Sequence, residues 1–222
     1  TQIEAVASDP SNPVEGQVWY NTTSNVLKGQ VISSTAAWST SANMNNPNFG
    51  MGGNGAVTTG LSSGGKNSPP ASLVLCETFN GTSWTEQSAM NTGKYFGSNA
   101  GTSTAGLAFG GEPAAPSRAD TEKFNGSSWT ETSDLNTGRE SIGGTGTQTA
   151  AIACGGAPTS NLTELFNGSN WTEVNELNTG RQSFSMAGAD NTAAIAFGGN
   201  VSPRGQTELW NGSNWTEVNE LN

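Results

Sequence analysis

The 222-residue chain contains no histidine, two cysteines and only eight lysines and arginines. Without histidine it lacks the commonest general base and metal ligand. Eight bases against 18 acids leave a net charge of −10, and no basic run appears. A nucleic-acid partner, which needs clustered Lys and Arg to displace counterions, is therefore not expected. No apolar run approaches the roughly 20 residues of a membrane-spanning helix, so no membrane insertion is expected. No signal peptide is visible either. Beginning at Thr1, the chain reads as processed, excised or part of something longer. No stretch has the 3.6-residue apolar period of a helix. Leu, Ile, Val and Phe together make up less than a fifth of the residues, a level that by itself suggests disorder. Seven tryptophans and only 12% charged residues point the other way.

What the chain does have is a repeat. Phe166-Asn-Gly-Ser-Asn-Trp-Thr-Glu-Val-Asn-Glu-Leu-Asn178 returns with one change as Trp210 to Asn222, and diverged copies begin at Phe79 and Phe124. Trp38, Trp84, Trp129, Trp171 and Trp215 follow one another at steps of 46, 45, 42 and 44. Six residues after each stands Met44, Met90, Leu135, Leu177 or Leu221, always followed by Asn. Gly-Gly pairs at 64–65, 110–111, 155–156 and 198–199 close the next apolar run. Periods of this length belong to propellers and solenoids.

Each unit divides into four short strands. Strand a includes Tyr95-Phe96, Ser141-Ile142 or Ser183-Phe184. Strand b ends at the glycine pair, as in Ala150 to Cys154 and Ala193 to Phe197. Strand c, such as Thr163 to Phe166, leads through Asn-Gly into strand d with its Trp-Thr-Glu. Asn-Gly is read as a tight hairpin whose two central residues both take positive φ. Four antiparallel strands per unit suit a radial propeller. One such sheet cannot cover its own apolar faces, so neighbours must stack.

These elements resemble Kelch repeats: a double glycine, then an aromatic (Phe79, Phe124, Phe166 or Trp210), then a Trp, then a basic residue (Lys94, Arg139 or Arg181). The resemblance covers residues 38–222 and departs in the first unit, where Asn48 replaces the basic residue. It implies an all-β, Kelch-type β-propeller of four-stranded antiparallel blades. Four units are complete. The expectation is about five blades over residues 16–222, the N-terminal strands up to Trp38 completing the last. Two or three antiparallel strands are expected there, after an extended leader or linker at 1–15. The inner strand of the fifth unit would follow Asn222, so the ring either closes on an incomplete blade or the natural chain is longer.

Candidate chemistry is sparse. Cys76 and Cys154 share no repeat position and are read as unlinked; Cys154 stands where neighbouring copies have Phe109 and Phe197, as a small buried hydrophobe. Glu77, Glu122, Glu164 and Glu208 recur in every unit, as do Glu86, Glu131, Glu173 and Glu217. A catalytic site needs a unique cluster, so these are read as structural, pairing with Lys94, Arg139 or Arg181 and contributing modestly if exposed. Asn-Gly-Ser/Thr sequons at Asn80 and Asn125 are read as hairpin chemistry. No catalytic residue, metal ligand or cofactor is expected, and the protein is expected not to be an enzyme. The b–c loops vary most between units, and variation on a rigid scaffold is where recognition sits. Asn67, Glu112, Arg118, Asp120, Asn161 and Arg204 are the candidate binding residues.

Pro13-Val-Glu-Gly-Gln-Val-Trp-Tyr-Asn-Thr-Thr23 resembles a stretch common in phage tail-fibre and other virion proteins. Thr104 to Gly111 and Thr192 to Gly199, with the Asn-Gly-Ser/Thr-x-Trp-Thr units, resemble Kelch-like proteins of marine phages. That resemblance implies a non-enzymatic virion structural protein, a tail fibre, appendage or surface decoration. Its partners would be other virion proteins and a host cell-surface glycan or protein, and it would be present as a homo-oligomer or in multiple copies per particle. The alternatives are a secreted, extracellular bacterial Kelch-type binding domain and a glycan-active propeller enzyme.

Overall fold

A computed structural model describes residues 4–11, 17–29, 40–67, 71–112, 117–200, 202 and 205–221. Trp38, residues 36–39 of the strand expected at Ala36 to Thr40 and the candidate Arg204 lie outside them. Every described element is a strand. The chain divides into two compact units, 1–40 and 41–222, whereas the repeat pattern puts a boundary after residue 15.

In the first unit, β1 (Glu4–Val6), β2 (Val18–Asn21) and β3 (Val26–Gly29) form one sheet. β2 and β3 make the expected antiparallel hairpin, with Thr22 to Asn25 as its turn and Asn25 at φ +55°. β1, inside the expected leader, pairs with β2 in parallel, so the sheet is mixed rather than antiparallel. Asp9 ties it together: its carboxylate contacts Lys28 at 2.6 Å and accepts from Asn21 at 2.7 Å and from the Trp19 indole at 3.1 Å. Those hydrogen bonds, Lys28 foremost, hold its pKa down at about 2.

The second unit is four antiparallel sheets of four strands, in chain order across each sheet. Blade 1 is β4 (Gly52–Ala56), β5 (Thr59–Ser63), β6 (Cys76–Phe79) and β7 (Trp84–Glu86). Blade 2 is β8 (Ser98–Gly101), β9 (Gly106–Phe109), β10 (Thr121–Phe124) and β11 (Trp129–Thr132). Blade 3 is β12 (Gly143–Gly146), β13 (Ala151–Cys154), β14 (Thr163–Phe166) and β15 (Trp171–Val174). Blade 4 is β16 (Ser185–Asp190), β17 (Ala193–Phe197), β18 (Thr207–Trp210) and β19 (Trp215–Val218). The first strands β4, β8, β12 and β16 lie side by side in that order. The all-β, four-stranded blade architecture read from the repeat is therefore present.

Two local expectations are corrected. Strand a starts later than the Tyr95-Phe96 position, because Phe96, Ser141 and Ser183 adopt φ of +56°, +52° and +54° and break the ladder before it. The Asn-Gly hairpin is a four-residue loop in which only the glycine has positive φ, as with Gly81 at +93°. Asn80 instead folds its side chain over the turn, its Oδ1 accepting from Thr82 N–H at 3.0 Å and Ser83 N–H at 2.9 Å. The same bonds recur at Asn125, Asn167 and Asn211.

The seams between blades carry the core. The Trp171 indole donates to Thr121 Oγ1 of the preceding blade at 3.0 Å, and Trp215 does the same to Thr163. Trp171 also meets Phe109 of that blade edge-on at 4.9 Å. Each buried indole removes on the order of 150–250 Å² from water. Glycine pairs allow the close approach: Gly110 has φ +68°, a Cβ there would sit 2.7 Å from Arg139 O, and Gly111 N–H donates to that same carbonyl at 2.8 Å. Cys76 and Cys154 are both free and buried.

Every crossover into a blade is latched by the glutamate of that blade's third strand. Glu164 accepts from Asn136 N–H at 2.7 Å and Nδ2 at 2.8 Å, and meets Arg139 Nη2 at 2.8 Å. Glu208 does likewise with Asn178 and with Arg181 at 2.5 Å. In blade 1 Asn45 and Asn46 serve Glu77 alone. The expected pairing is present and buried, with Arg139 and Glu164 side chains 2% and 1% exposed, so the modest contribution of an exposed pair does not apply.

Candidate binding face

One face of the four-blade unit is built where each second strand ends and each first strand begins. Short bridges join the residue after a glycine pair to the residue after the crossover: Phe49 to Lys66, Tyr95 to Glu112 and Glu140 to Ala157. The left-handed residues beside them link adjacent blades through backbone. Phe96 N–H donates to Gly50 O at 2.7 Å, Ser141 N–H to Phe96 O at 2.6 Å and Ser183 N–H to Ser141 O at 3.0 Å. That run lines a depression of about 290 Å³, walled by Met51, Phe96, Ile142 and Phe184.

Beside it lies a group of charged and aromatic side chains brought together from non-repeating positions. The Lys66 ammonium stands 4.1 Å from the ring centre of Tyr95, 4.7 Å from Phe96 and 5.3 Å from Phe49. The Tyr95 hydroxyl donates to Glu112 Oε2 at 2.6 Å. That bond, reinforced by burial and by the charges of Glu112 and Glu140, pushes the phenol up to about 12. Glu112 and Glu140 are close enough to shift each other's titration. The pair holds Glu112 low and raises Glu140 to about 7; burial adds to the rise and the Lys66 charge opposes it. Glu140 Oε2 is buried and has no hydrogen-bond partner among the described residues.

Of the expected site residues, Glu112 lies in this cluster, and Asn67 is exposed next to Lys66. Arg118 and Asp120 tie down the blade 2 loop: Arg118 Nε meets Asp120 Oδ1 at 2.7 Å, and Asp120 Oδ2 meets Lys94 at 2.7 Å. Burial works to raise the Asp120 pKa, but the two cations outweigh it and hold the carboxyl low. Asn161 donates to Glu176 and accepts from Leu177 N–H at 2.9 Å. Arg118, Asp120 and Asn161 thus spend polar groups on loop structure. Lys66, Tyr95 and Glu140 were not anticipated. Their signal was a column: Lys66, Glu112, Ala157 and Asn200 follow the glycine pairs, opposite Phe49, Tyr95, Glu140 and Gln182. Both columns differ in every repeat.

No known protein-family model matches this chain, and no curated protein matches it. The face has therefore to be read from its chemistry. Among the described residues no group of three or more acidic, cysteine or histidine side chains could hold a metal. No described helix is long and apolar enough to cross a membrane. The face is a shallow surface of aromatic and charged side chains, among them Phe49, Lys66, Tyr95, Phe96 and Glu112.

Proposed function

We propose that this chain is a non-enzymatic binding module of a phage virion, in a tail fibre, appendage or surface decoration. Its partners are neighbouring virion proteins and a host cell-surface glycan or protein, met in multiple copies per particle. The observation that carries the reading is a sorting of residues: the repeated third-strand glutamates are buried in latches, while Lys66, Tyr95, Glu112 and Glu140, which do not repeat, meet on one face. The likeness of Pro13 to Thr23 to virion sequences supplies the setting.

The scaffold in this reading is a closed, Kelch-type five-bladed propeller with the N-terminal strands completing the fifth blade. Asn45 and Asn46 support it. They bond Glu77 as Asn136 and Asn178 bond Glu164 and Glu208, and Asn45 Nδ2 donates to Trp84 O at 3.1 Å as its counterparts do to Trp171 O and Trp215 O. Residues 41–46 therefore make the same bonds to blade 1 that the later crossovers make to blades 3 and 4.

Immuno-electron microscopy of native particles and a glycan array probed with the full chain test the two halves. Labelling on particles is expected, as is array binding that Glu112→Gln reduces and Asn125→Asp, on the opposite turns, does not. Protein found in the medium but never on particles would replace the virion by a secreted protein. Binding lost only in the turn variant would refute the choice of face.

A further inference from the structure

We propose that Phe49, Tyr95 and Phe96 form a recognition site for an organic ammonium group, which Lys66 fills while the site is free. The proposal rests on reading this face as the binding face, and it names the ligand's chemistry. Three aromatic rings approach one cation from two crossovers, with ring centres 4.1 to 5.3 Å from its nitrogen. Ring faces attract cations through their quadrupole, and enclosures of this kind suit quaternary ammonium. The Tyr95 hydroxyl, donating to the Glu112 carboxylate, leaves its ring richer in electron density. Glu112 and Glu140 add negative potential behind the cage.

Lys66 is a displaceable occupant. Among the described residues it makes no ion pair, unlike Lys94, whose ammonium meets two carboxylates. It is only half-buried, and Phe49 is 49% exposed, so the cage opens to solvent. A primary ammonium is compact and strongly hydrated. A methylated ammonium sheds water more readily and fills the space between rings better, so it can outcompete the lysine. The class includes choline headgroups and methylated lysine side chains.

The test is isothermal titration of the full chain with choline and with Nε-trimethyl-lysine amide, using the neutral isostere 3,3-dimethylbutan-1-ol as control. Removing the internal competitor in Lys66→Ala should tighten binding of at least one cation by about fivefold, the scale of a partly exposed cation–π contact. Adding Phe49→Ala or Tyr95→Leu to that variant should abolish the gain, and the neutral alcohol should not bind. The tighter of the two cations identifies the source. Phe49 is exposed enough that its removal leaves the fold intact, which circular dichroism checks, so that variant decides if the Tyr95 one unfolds. Binding of neither cation, equal binding by wild type and Lys66→Ala, or a gain that survives loss of Phe49 would overturn the proposal. Choline binding without particle attachment would keep the cage and remove the adhesion reading; loop-dependent array binding without choline binding would do the reverse.

Discussion

Replacing Arg139 by methionine would keep most of the aliphatic stem and remove the guanidinium. That group donates to Gly155 O at 3.2 Å, Leu162 O at 2.9 Å and Glu164 Oε1 at 2.8 Å, all at the crossover into blade 3. Arg139 is 1% exposed and Glu164 1%, so water cannot replace the lost partner. Breaking a buried pair from one side costs about 3 to 5 kcal/mol because the remaining charge stays buried. Glu164 keeps two bonds from Asn136, so the loss should fall near the lower end, about 3 kcal/mol. For a protein of this size that corresponds to a fall in Tm of roughly 6 to 12 °C. Equilibrium urea unfolding followed by tryptophan fluorescence measures it, with Glu131→Ala, an exposed acid on β11, as the neutral comparison. Adding Glu164→Gln should recover part of the loss, since the stranded charge goes with it. A cost below about 1 kcal/mol, the range of exposed ion pairs, would refute the latch as a buried, blade-joining device.

Two further outcomes follow from the seams and the carboxyl pair. Trp171→Phe should cost at least 1 kcal/mol more than Trp129→Phe, about the worth of one hydrogen bond. The Trp171 indole donates to Thr121, whereas the Trp129 N–H faces the weakly accepting Cys76 thiol and makes no regular hydrogen bond; equal urea midpoints would refute this. Glu140 is held protonated up to about pH 7 in the fold, against an ordinary value of 4.5. Between those values the folded state binds the extra proton, so stability is full below about 4.5 and declines as pH rises through 7. Glu140→Gln should flatten that decline in melts taken from pH 4.5 to 8, and an unchanged profile would show that the carboxyls do not shift each other's titration.

Much of the blade was legible because its determinants are local or periodic. Trp-Thr-Glu, the glycine pairs and alternating apolar runs mark strands two to four without knowledge of neighbours. The start of the first strand was not legible. Phe96, Ser141 and Ser183 carry side chains that disfavour positive φ, and only their bonds to the preceding blade hold them there. The Asn-Gly loop was misread for a related reason. Asn80 satisfies the turn with its side-chain oxygen, a local alternative to left-handed backbone.

The site divides in the same way. Composition and repetition alone determined that these are small β-sheets obliged to stack, with repeated glutamates serving structure. Only tertiary structure decided that those glutamates are buried under crossovers, and that Lys66 meets Phe49, Tyr95 and Phe96. Residues 49 and 66 flank the first two strands of one blade, and residues 95 and 96 lie in the crossover into the next. What joins them is ladder register within a blade and backbone bonding between blades, quantities set by packing and invisible in any single repeat.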